Sequence, residues 1–136
     1  MIRKGLLLRL GLAALALIPF SVLVPAAWAD HSSLQLVSSG ASGGAGSYTD
    51  FYTASQDNSV VIFGTTDQLV PADTDNQVDI YEREGTTTTL VSTGPNGGNG
   101  AFPASFGGAS QDGGRIFFMT QEQLVASDTD SSLDVY

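Results

Sequence analysis

The stretch "ASQDNSVVIFGTTDQLVPADTDNQVDIY" at residues 54–81 decides the fold, because the chain writes it twice. The stretch "ASQDGGRIFFMTQEQLVASDTDSSLDVY" at 109–136 aligns with it without gaps at an offset of 55, and 14 of the 28 positions are identical. Upstream, "LVSSGASGGAGSY" at 36–48 aligns with "LVSTGPNGGNGAF" at 90–102 at an offset of 54. Self-similarity at such a period indicates a repeat architecture in which each unit is one supersecondary element.

Strands are the elements that each unit predicts. Short runs of β-branched and aromatic residues are separated by Gly, Asn, Asp and Ser, and no run has the helical period. The most apolar runs, at 60–66 and 115–120, predict strands buried on both faces. The run at 78–84 instead alternates between its two faces, with Ile80 on one face of the strand and Tyr81 on the other. Further strands are expected at 33–39, 51–55, 86–93 and 105–110.

Four short strands in each unit predict the blade of a β-propeller. The expected fold is all-β, a partial β-propeller with a repeat of about 55 residues, each repeat one four-stranded antiparallel blade. A β-sandwich cut into halves is the alternative, but two near-copies favour radial repetition. Within 30–136 we expect an outer strand at about 33–39, a first blade at about 48–93 and an incomplete second blade at about 102–136. Because propellers close with roughly four to eight blades, these strands predict a fragment of a longer protein or a truncated gene.

The stretch "SQDGGRIFF" at 110–118, followed by "DTDSSLDVY" at 128–136, resembles the TolB-type, WD-repeat-like β-propeller family. Blades of that family pair an S-x-D-G-x-x-I-x-F hairpin with a downstream D-I-Y strand. The first copy departs from the pattern at Asn58 and Ser59, which replace the glycines. "SQDGGRIF" also approximates the Asp-box of sialidase-like propellers, S-x-D-x-G-x-T-W, but Ile116 and Phe117 replace its Thr and Trp. The resemblance implies a fold and says little about function.

Tight hairpin turns are expected at the same two places. Asp112 and Gly113 lie where two strands reverse, and glycine permits the positive φ that such turns need. Asp57 and Asn58 can do the same in the first copy, since both residue types tolerate the left-handed region and bond to nearby backbone.

Residues 1–29 have the layout of a secretory signal peptide, with a basic start, an apolar middle and an A-x-A end before Asp30. An uncleaved anchor is the alternative, because 10–29 nearly spans a bilayer of roughly 30 Å. The prolines and the small-residue end favour cleavage. We therefore expect an exported protein, periplasmic, cell-surface or extracellular, of bacterial type, with no stable membrane insertion after cleavage.

The chain after the signal peptide is acidic and has no cysteine. Two arginines stand against fourteen acidic residues in 30–136, a net charge of −12. This balance argues against nucleic acid and anionic membrane surfaces as partners. The missing cysteines exclude disulfides and thiolate chemistry.

Six aspartates at equivalent places form the sharpest chemical hypothesis, a metal site in each copy. They are Asp73, Asp75, Asp79, Asp128, Asp130 and Asp134. Calcium would be the cofactor, since it favours several hard oxygen ligands from one loop. The EF-hand pattern fails because Val78 takes the position that requires glycine, and the D-x-D-x-D-G loops of integrin-type propellers fail at Gln77 and Ser132. We favour a turn-forming role, with Asp79 tied to backbone amides, and no resident cofactor.

Catalytic motifs are not evident. The fourteen acids offer no distinguished glycosidase pair, there is no G-x-S-x-G elbow, and the single histidine is His31 near the expected mature end. The sequence therefore predicts no enzyme, but a binding or scaffolding module for a protein or glycan partner. The alternatives are the propeller portion of an exported hydrolase whose catalytic region lies outside this chain, and a calcium-stabilised surface protein.

Overall fold

The computed structural model describes residues 34–44 and 46–136, and this part of the chain is all-β. The predicted signal peptide at 1–29 and His31 lie outside the described residues. In 34–44 and 46–136 there is no helix with the length and apolarity to cross a membrane. The described residues contain nine strands in three antiparallel sheets, none of them closed. In chain order these are β1 (Ser39–Gly40), β2 (Gly43–Gly44), β3 (Thr49–Ala54), β4 (Val60–Thr65), β5 (Asp79–Glu84), β6 (Thr87–Leu90), β7 (Ser105–Ala109), β8 (Ile116–Thr120) and β9 (Asp134–Val135).

The first sheet contains β3, β4, β5 and β6, and each strand pairs with the next one along the chain. The predicted strands at 51–55, 60–66, 78–84 and 86–93 all fall within it. The prediction of a strand at 33–39 is wrong over residues 34–38, which form no strand. The strand β1 begins only at Ser39. Leu90 is paired with Tyr81 in the sheet, but Leu36, at the equivalent position, has no partner strand in the described part of the chain. A strand needs a neighbour to satisfy its backbone, so this segment stays irregular.

The second sheet contains β7, β8 and β9 in the same order. Positions 55 apart have the same pairing: Phe51 lies opposite Phe63, and Phe106 lies opposite Phe118. Both first strands have a register shift directly after that phenylalanine. The two sheets therefore have the same local geometry where the two copies of the sequence align.

The hairpin turns have the expected chemistry. Asn58 and Gly113 occupy the left-handed region, with φ of 59° and 74°. Asp57 Oδ1 accepts hydrogen bonds from Ser55 Oγ at 2.7 Å and Ser59 N at 3.0 Å, and these bonds lower the pKa of Asp57 to about 2. Asp112 Oδ1 accepts the equivalent bonds from Ser110 Oγ and Gly114 N. In both turns an aspartate side chain thus accepts a hydrogen bond from a nearby backbone amide, as predicted.

The two central strands of the first sheet, β4 and β5, are buried on both faces. We call the face with Phe63 and Tyr81 its front, and the face with Ile62 and Ile80 its back. The front contacts Leu69, Val70 and Leu90, and the back contacts the second sheet. This confirms the burial predicted for 60–66 and the alternation predicted for 78–84.

The second sheet turns its front, with Ile116 and Phe118, towards the back of the first sheet. The rings of Phe118 and Tyr136 lie 5.8 Å apart there, as those of Phe63 and Tyr81 do at 5.7 Å in the first sheet. The burial of both faces predicted for 115–120 is wrong, because Phe117 on the back is 47% exposed. Among the described residues, no sheet covers that back face.

The glycine-rich stretches pack backbone against backbone. A Cβ added at Gly40 would lie 2.2 Å from the carbonyl oxygen of Leu69, and one at Gly94 would lie 2.4 Å from that of Leu124. The same carbonyl groups accept hydrogen bonds from Ser42 N at 2.9 Å and from Asn96 N at 3.1 Å. Only glycine permits this approach, so each stretch is fixed to the loop that it contacts.

Candidate functional site

The predicted site residues lie on two aspartate loops and on the first residue of the strand that follows each loop. The first aspartate loop, 66–78, joins β4 to β5, and the second, 121–133, joins β8 to β9. The structure brings each predicted triad together, and one ligand atom from each carboxylate lies within 4.8 Å of the others. The triads are Asp73, Asp75 and Asp79, and Asp128, Asp130 and Asp134.

Turn bonds occupy part of each triad. Asp73 Oδ1 accepts a hydrogen bond from Asp75 N at 3.2 Å, and Asp75 Oδ1 accepts one from Gln77 N at 2.6 Å. The second loop has the same two bonds, at 3.2 and 2.7 Å, donated by the amides of Asp130 and Ser132. These carboxylates shape the backbone that leads into the next strand, as the turn-forming interpretation predicts.

A tyrosine, buried in the first copy and half-buried in the second, holds each loop in place, a contact that sequence reasoning missed. The Tyr81 hydroxyl lies in hydrogen-bonding contact with Asp73 Oδ2 and 3.0 Å from the carbonyl oxygen of Asp67. Tyr136 makes the same contacts with Asp128 and with Glu122 at 2.9 Å. Burial, together with the Asp73 carboxylate, raises the pKa of Tyr81, so its hydroxyl remains a donor. The signal was in the sequence: each tyrosine follows its aspartate by eight positions.

Asp79 is the residue whose surroundings differ most from the expectation. Its Oδ1 accepts a hydrogen bond from Ser92 Oγ at 2.6 Å, not from backbone amides. Ser92 Oγ itself accepts a hydrogen bond from Ile80 N at 2.9 Å, because the chain after β6 continues beside the start of β5. Serine therefore stands between the carboxylate and the amide that was expected to bind it.

The other carboxylate oxygen of Asp79, Oδ2, has no hydrogen-bond donor to offset the cost of its burial. The residue is 4% exposed, and Oδ2 is buried without a hydrogen-bond partner. Burial raises the pKa of Asp79 to about 7, the Ser92 bond opposes this, and the charges of Asp73 and Asp75 add to it. A buried ionised carboxylate without a partner is costly, so this oxygen favours either a proton or a cation.

The segment between the two sheets covers the first aspartate loop. Asn99 Oδ1 accepts from Thr74 N at 2.6 Å, and Asn99 Nδ2 donates to Ala72 O at 3.0 Å. The triad of the second loop is more open, with Asp130 exposed and Asp134 half-buried. The same three aspartates thus exist in a covered and an open form.

A groove of about 510 Å³, which we call the loop groove, lies beside the second aspartate loop. Residues 96–102 form one wall, and Gln121, Glu122, Gln123 and Ser131 form the other. Phe102 is 39% exposed, and its amide donates to Glu122 Oε1 at 3.4 Å. The groove combines neutral amide groups with the Glu122 carboxylate and one aromatic ring. Sequence reasoning missed it, although the asparagines of "GPNGGNG" were a signal for polar recognition in a loop.

Geometry carries the functional inference for this chain. The resemblance to TolB-type propellers rests on the motifs at 110–118 and 128–136 alone. The chain matches no protein-family model, no curated protein and no solved structure.

Proposed function

We propose that the chain is an exported β-propeller repeat module that binds a glycan or protein partner and has no catalytic activity of its own. The observation that carries this proposal is the loop groove, where polar side chains and Phe102 face solvent in a concave surface. Binding residues are commonly placed on loops that a rigid β-scaffold positions.

The lining of the groove favours a neutral glycan as the ligand. Asn96, Gln121 and Gln123 are exposed residues, and an amide can both donate and accept hydrogen bonds, as sugar hydroxyl groups do. Gln121 and Gln123 each donate one bond to a backbone carbonyl group of 130–131, which fixes the position of the amide oxygen and the second amide hydrogen. The exposed ring of Phe102 offers an apolar surface for the C–H face of a sugar ring. The net charge of −12 in 30–136 disfavours polyanionic ligands.

The positions of the acids support a non-catalytic role. A glycosidase needs two carboxylates that face each other across the substrate. Asp57, Asp73 and Asp112 instead accept hydrogen bonds within their own turns. Asp79 is buried against Ser92.

A glycan array probed with the full exported chain tests the proposal. We expect binding to neutral glycans that falls roughly 10-fold or more in Phe102→Ala, because loss of one aromatic contact costs about 1.4 kcal/mol or more. Gln111→Ala is the matched control, since Gln111 lies in a hairpin turn outside the loop groove. Equal loss in both variants, or no bound glycan, would contradict the glycan assignment.

A calcium-stabilised surface protein is the second candidate, and Asp79 Oδ2 is the observation that favours it. A cation held by Asp73, Asp75 and Asp79 would compensate this buried oxygen, and clustered carboxylates suit Ca²⁺. An oxygen that accepts an amide bond can also ligate a metal, so turn formation does not conflict with this candidate.

Thermal melting of the full chain with calcium and then with chelator tests the second candidate. A midpoint that rises with calcium in the wild type and stays constant in Asp79→Asn would support a metal at the first aspartate loop. Magnesium is the control for ionic strength and charge. An unchanged wild-type midpoint would leave the aspartates as turn formers.

A further inference from the structure

The first triad has a feature that turn formation does not explain. Its three carboxylates, Asp73, Asp75 and Asp79, each bring one ligand atom within 4.8 Å of the others. Asp79 is 4% exposed, and its Oδ2 has no hydrogen-bond donor. A buried carboxylate oxygen without a donor is costly, and two further carboxylates beside it add repulsion. A divalent cation that takes oxygen ligands would compensate all three side chains at once.

One wall of the loop groove is bonded to the residues on either side of Asp73. Asn99, which lines the groove, accepts a hydrogen bond at Oδ1 from Thr74 N at 2.6 Å. Its Nδ2 donates to Ala72 O at 3.0 Å. A single side-chain amide of the groove wall therefore bridges the backbone that carries the first aspartate of the triad.

A second tie between the groove wall and the triad follows a few residues later. Ala104 N donates to Val78 O at 2.8 Å, and Val78 directly precedes Asp79. Ala104 is buried in the core between the two sheets. Phe102, the aromatic residue of the loop groove, lies in the sequence between this tie and Asn99. The backbone of the first aspartate loop thus determines where the aromatic wall of the groove lies.

The groove wall also packs on the hydrogen-bond partner of Asp79. A Cβ added at Gly98, which lines the groove, would lie 2.7 Å from the carbonyl oxygen of Ser92. Ser92 Oγ donates to Asp79 Oδ1 at 2.6 Å. Three separate contacts, at Gly98, Asn99 and Ala104, therefore connect the groove wall to the first triad.

We propose that a calcium ion held by the first triad fixes the wall of the loop groove at 96–102, so that ligand binding in the groove depends on calcium. This inference rests on the proposed function, because it takes the loop groove as the binding site. In chelator, repulsion among the three carboxylates loosens the backbone of 72–79, to which the wall is bonded. With calcium, that backbone is fixed and Phe102 is held in one position. The ion and the ligand then raise each other's affinity, because coupling between two sites is reciprocal.

Amide hydrogen exchange of the full exported chain, with calcium alone as the probe, tests the proposal without any glycan. In the wild type we expect calcium, compared with chelator, to slow exchange roughly 5-fold or more at 72–79 and at 96–104. Asp79→Asn should lose both effects. Asp57→Asn is the matched control, since it removes one charge from a hairpin turn outside the loop groove, and it should keep both. No calcium effect in the wild type, or an equal effect in Asp79→Asn, would overturn the proposal.

The variant Asn99→Ala distinguishes coupling from general stabilisation. Asn99 is exposed, so the variant should fold. Calcium should still slow exchange at 72–79, while its effect at 96–102 falls well below that in the wild type. Protection of 96–102 that is unchanged in Asn99→Ala would overturn the proposal. If circular dichroism shows that Asp79→Asn is unfolded, Asp75→Asn at a half-buried position of the triad replaces it.

A glycan identified on the array extends the test to the ligand. We expect its affinity for the wild type to fall roughly 5-fold or more when chelator replaces calcium, with a smaller fall in Asn99→Ala. An affinity that does not depend on calcium would overturn the proposal and leave the glycan assignment intact. An array without a bound glycan would contradict that assignment alone, since the exchange measurement decides the coupling by itself.

Discussion

The first and second sheets hold equivalent residues in different surroundings. Asp73 and Asp128 make the same turn bond and the same tyrosine contact. Ile62 is fully buried, however, while Phe117, which is 55 positions later, is 47% exposed. Local hydrogen bonds are thus determined by the local sequence, whereas the burial of a side chain depends on whether a neighbouring sheet packs against it.

A charge placed at the two equivalent back-face positions should give the largest contrast. We expect Ile62→Asp to abolish folding, since a buried unpaired carboxylate costs several kcal/mol, a large part of the stability of a small domain. Phe117→Asp should fold, with a midpoint near that of the wild type. Urea unfolding at low protein concentration measures both. Equal damage at the two positions would mean that the back of the second sheet is covered.

The tyrosine that holds the first aspartate loop should matter more than the aspartate that shapes it. Tyr81→Ala removes a fully buried ring that contacts Phe63, at an expected cost of about 3 to 5 kcal/mol. Asp75→Ala removes one accepted bond, from Gln77 N, at about 1 kcal/mol. Denaturant midpoints in the presence of chelator compare them. If Asp75→Ala is the worse variant, ring packing is not the main stabilising term.

Asp79 should make stability depend on pH. Its folded pKa, about 7, lies above the usual 3.8, so the stabilisation from its protonated form is complete below the unfolded pKa and is lost as pH rises through 7. Between about pH 5 and pH 8, in chelator, we expect a loss of ~2–3 kcal/mol in the wild type that Asp79→Asn lacks. Asp134→Asn, at the half-buried equivalent, is the matched control and should keep the slope. A slope that survives in Asp79→Asn has another origin.

The hairpin turns should show the smallest difference between the copies. Asn58 and Gly113 both have positive φ. Asn58→Gly should therefore change stability by about 1 kcal/mol or less. Gly113→Asn should be the more destabilising of the two, because its Cβ would lie 3.0 Å from Val60 Cβ. Thermal melting measures both. A loss of several kcal/mol in Asn58→Gly would show that the asparagine side chain has a role beyond its backbone conformation.

The sequence predicted what short-range patterns control. Val60–Thr65 was predicted to within about a residue from its apolar run, and Asp79–Glu84 from its alternation. The spacing of Asp73, Asp75 and Asp79 was enough to place them on one loop and its following strand. The turn bonds at Asp57 and Asp112 followed from residue type alone.

Contacts between distant segments could not be predicted. The bond from Ser92 to Asp79 depends on where the chain runs after β6, and the cover that Asn99 provides depends on the loop between the sheets. The sequence of 34–38 alone does not reveal whether another strand pairs with this segment, and in the described fold none does. The apolar run around Phe117 predicted burial. Phe117 is exposed because, in the described part of the chain, no sheet packs on the back of the second sheet.

The close approach of Gly40 and Gly94 to opposing carbonyl groups has a consequence for mutational tolerance. In a saturation library of the glycine-rich stretches, most positions should accept many residues, as exposed loops do. The two contact glycines should reject every side chain, alanine included, and so should Gly98, which has a φ of 126° and whose added Cβ would lie 2.6 Å from Thr93 Cα. The other residues that line the loop groove can therefore vary in sequence while the backbone contact at Gly94 keeps their stretch in place.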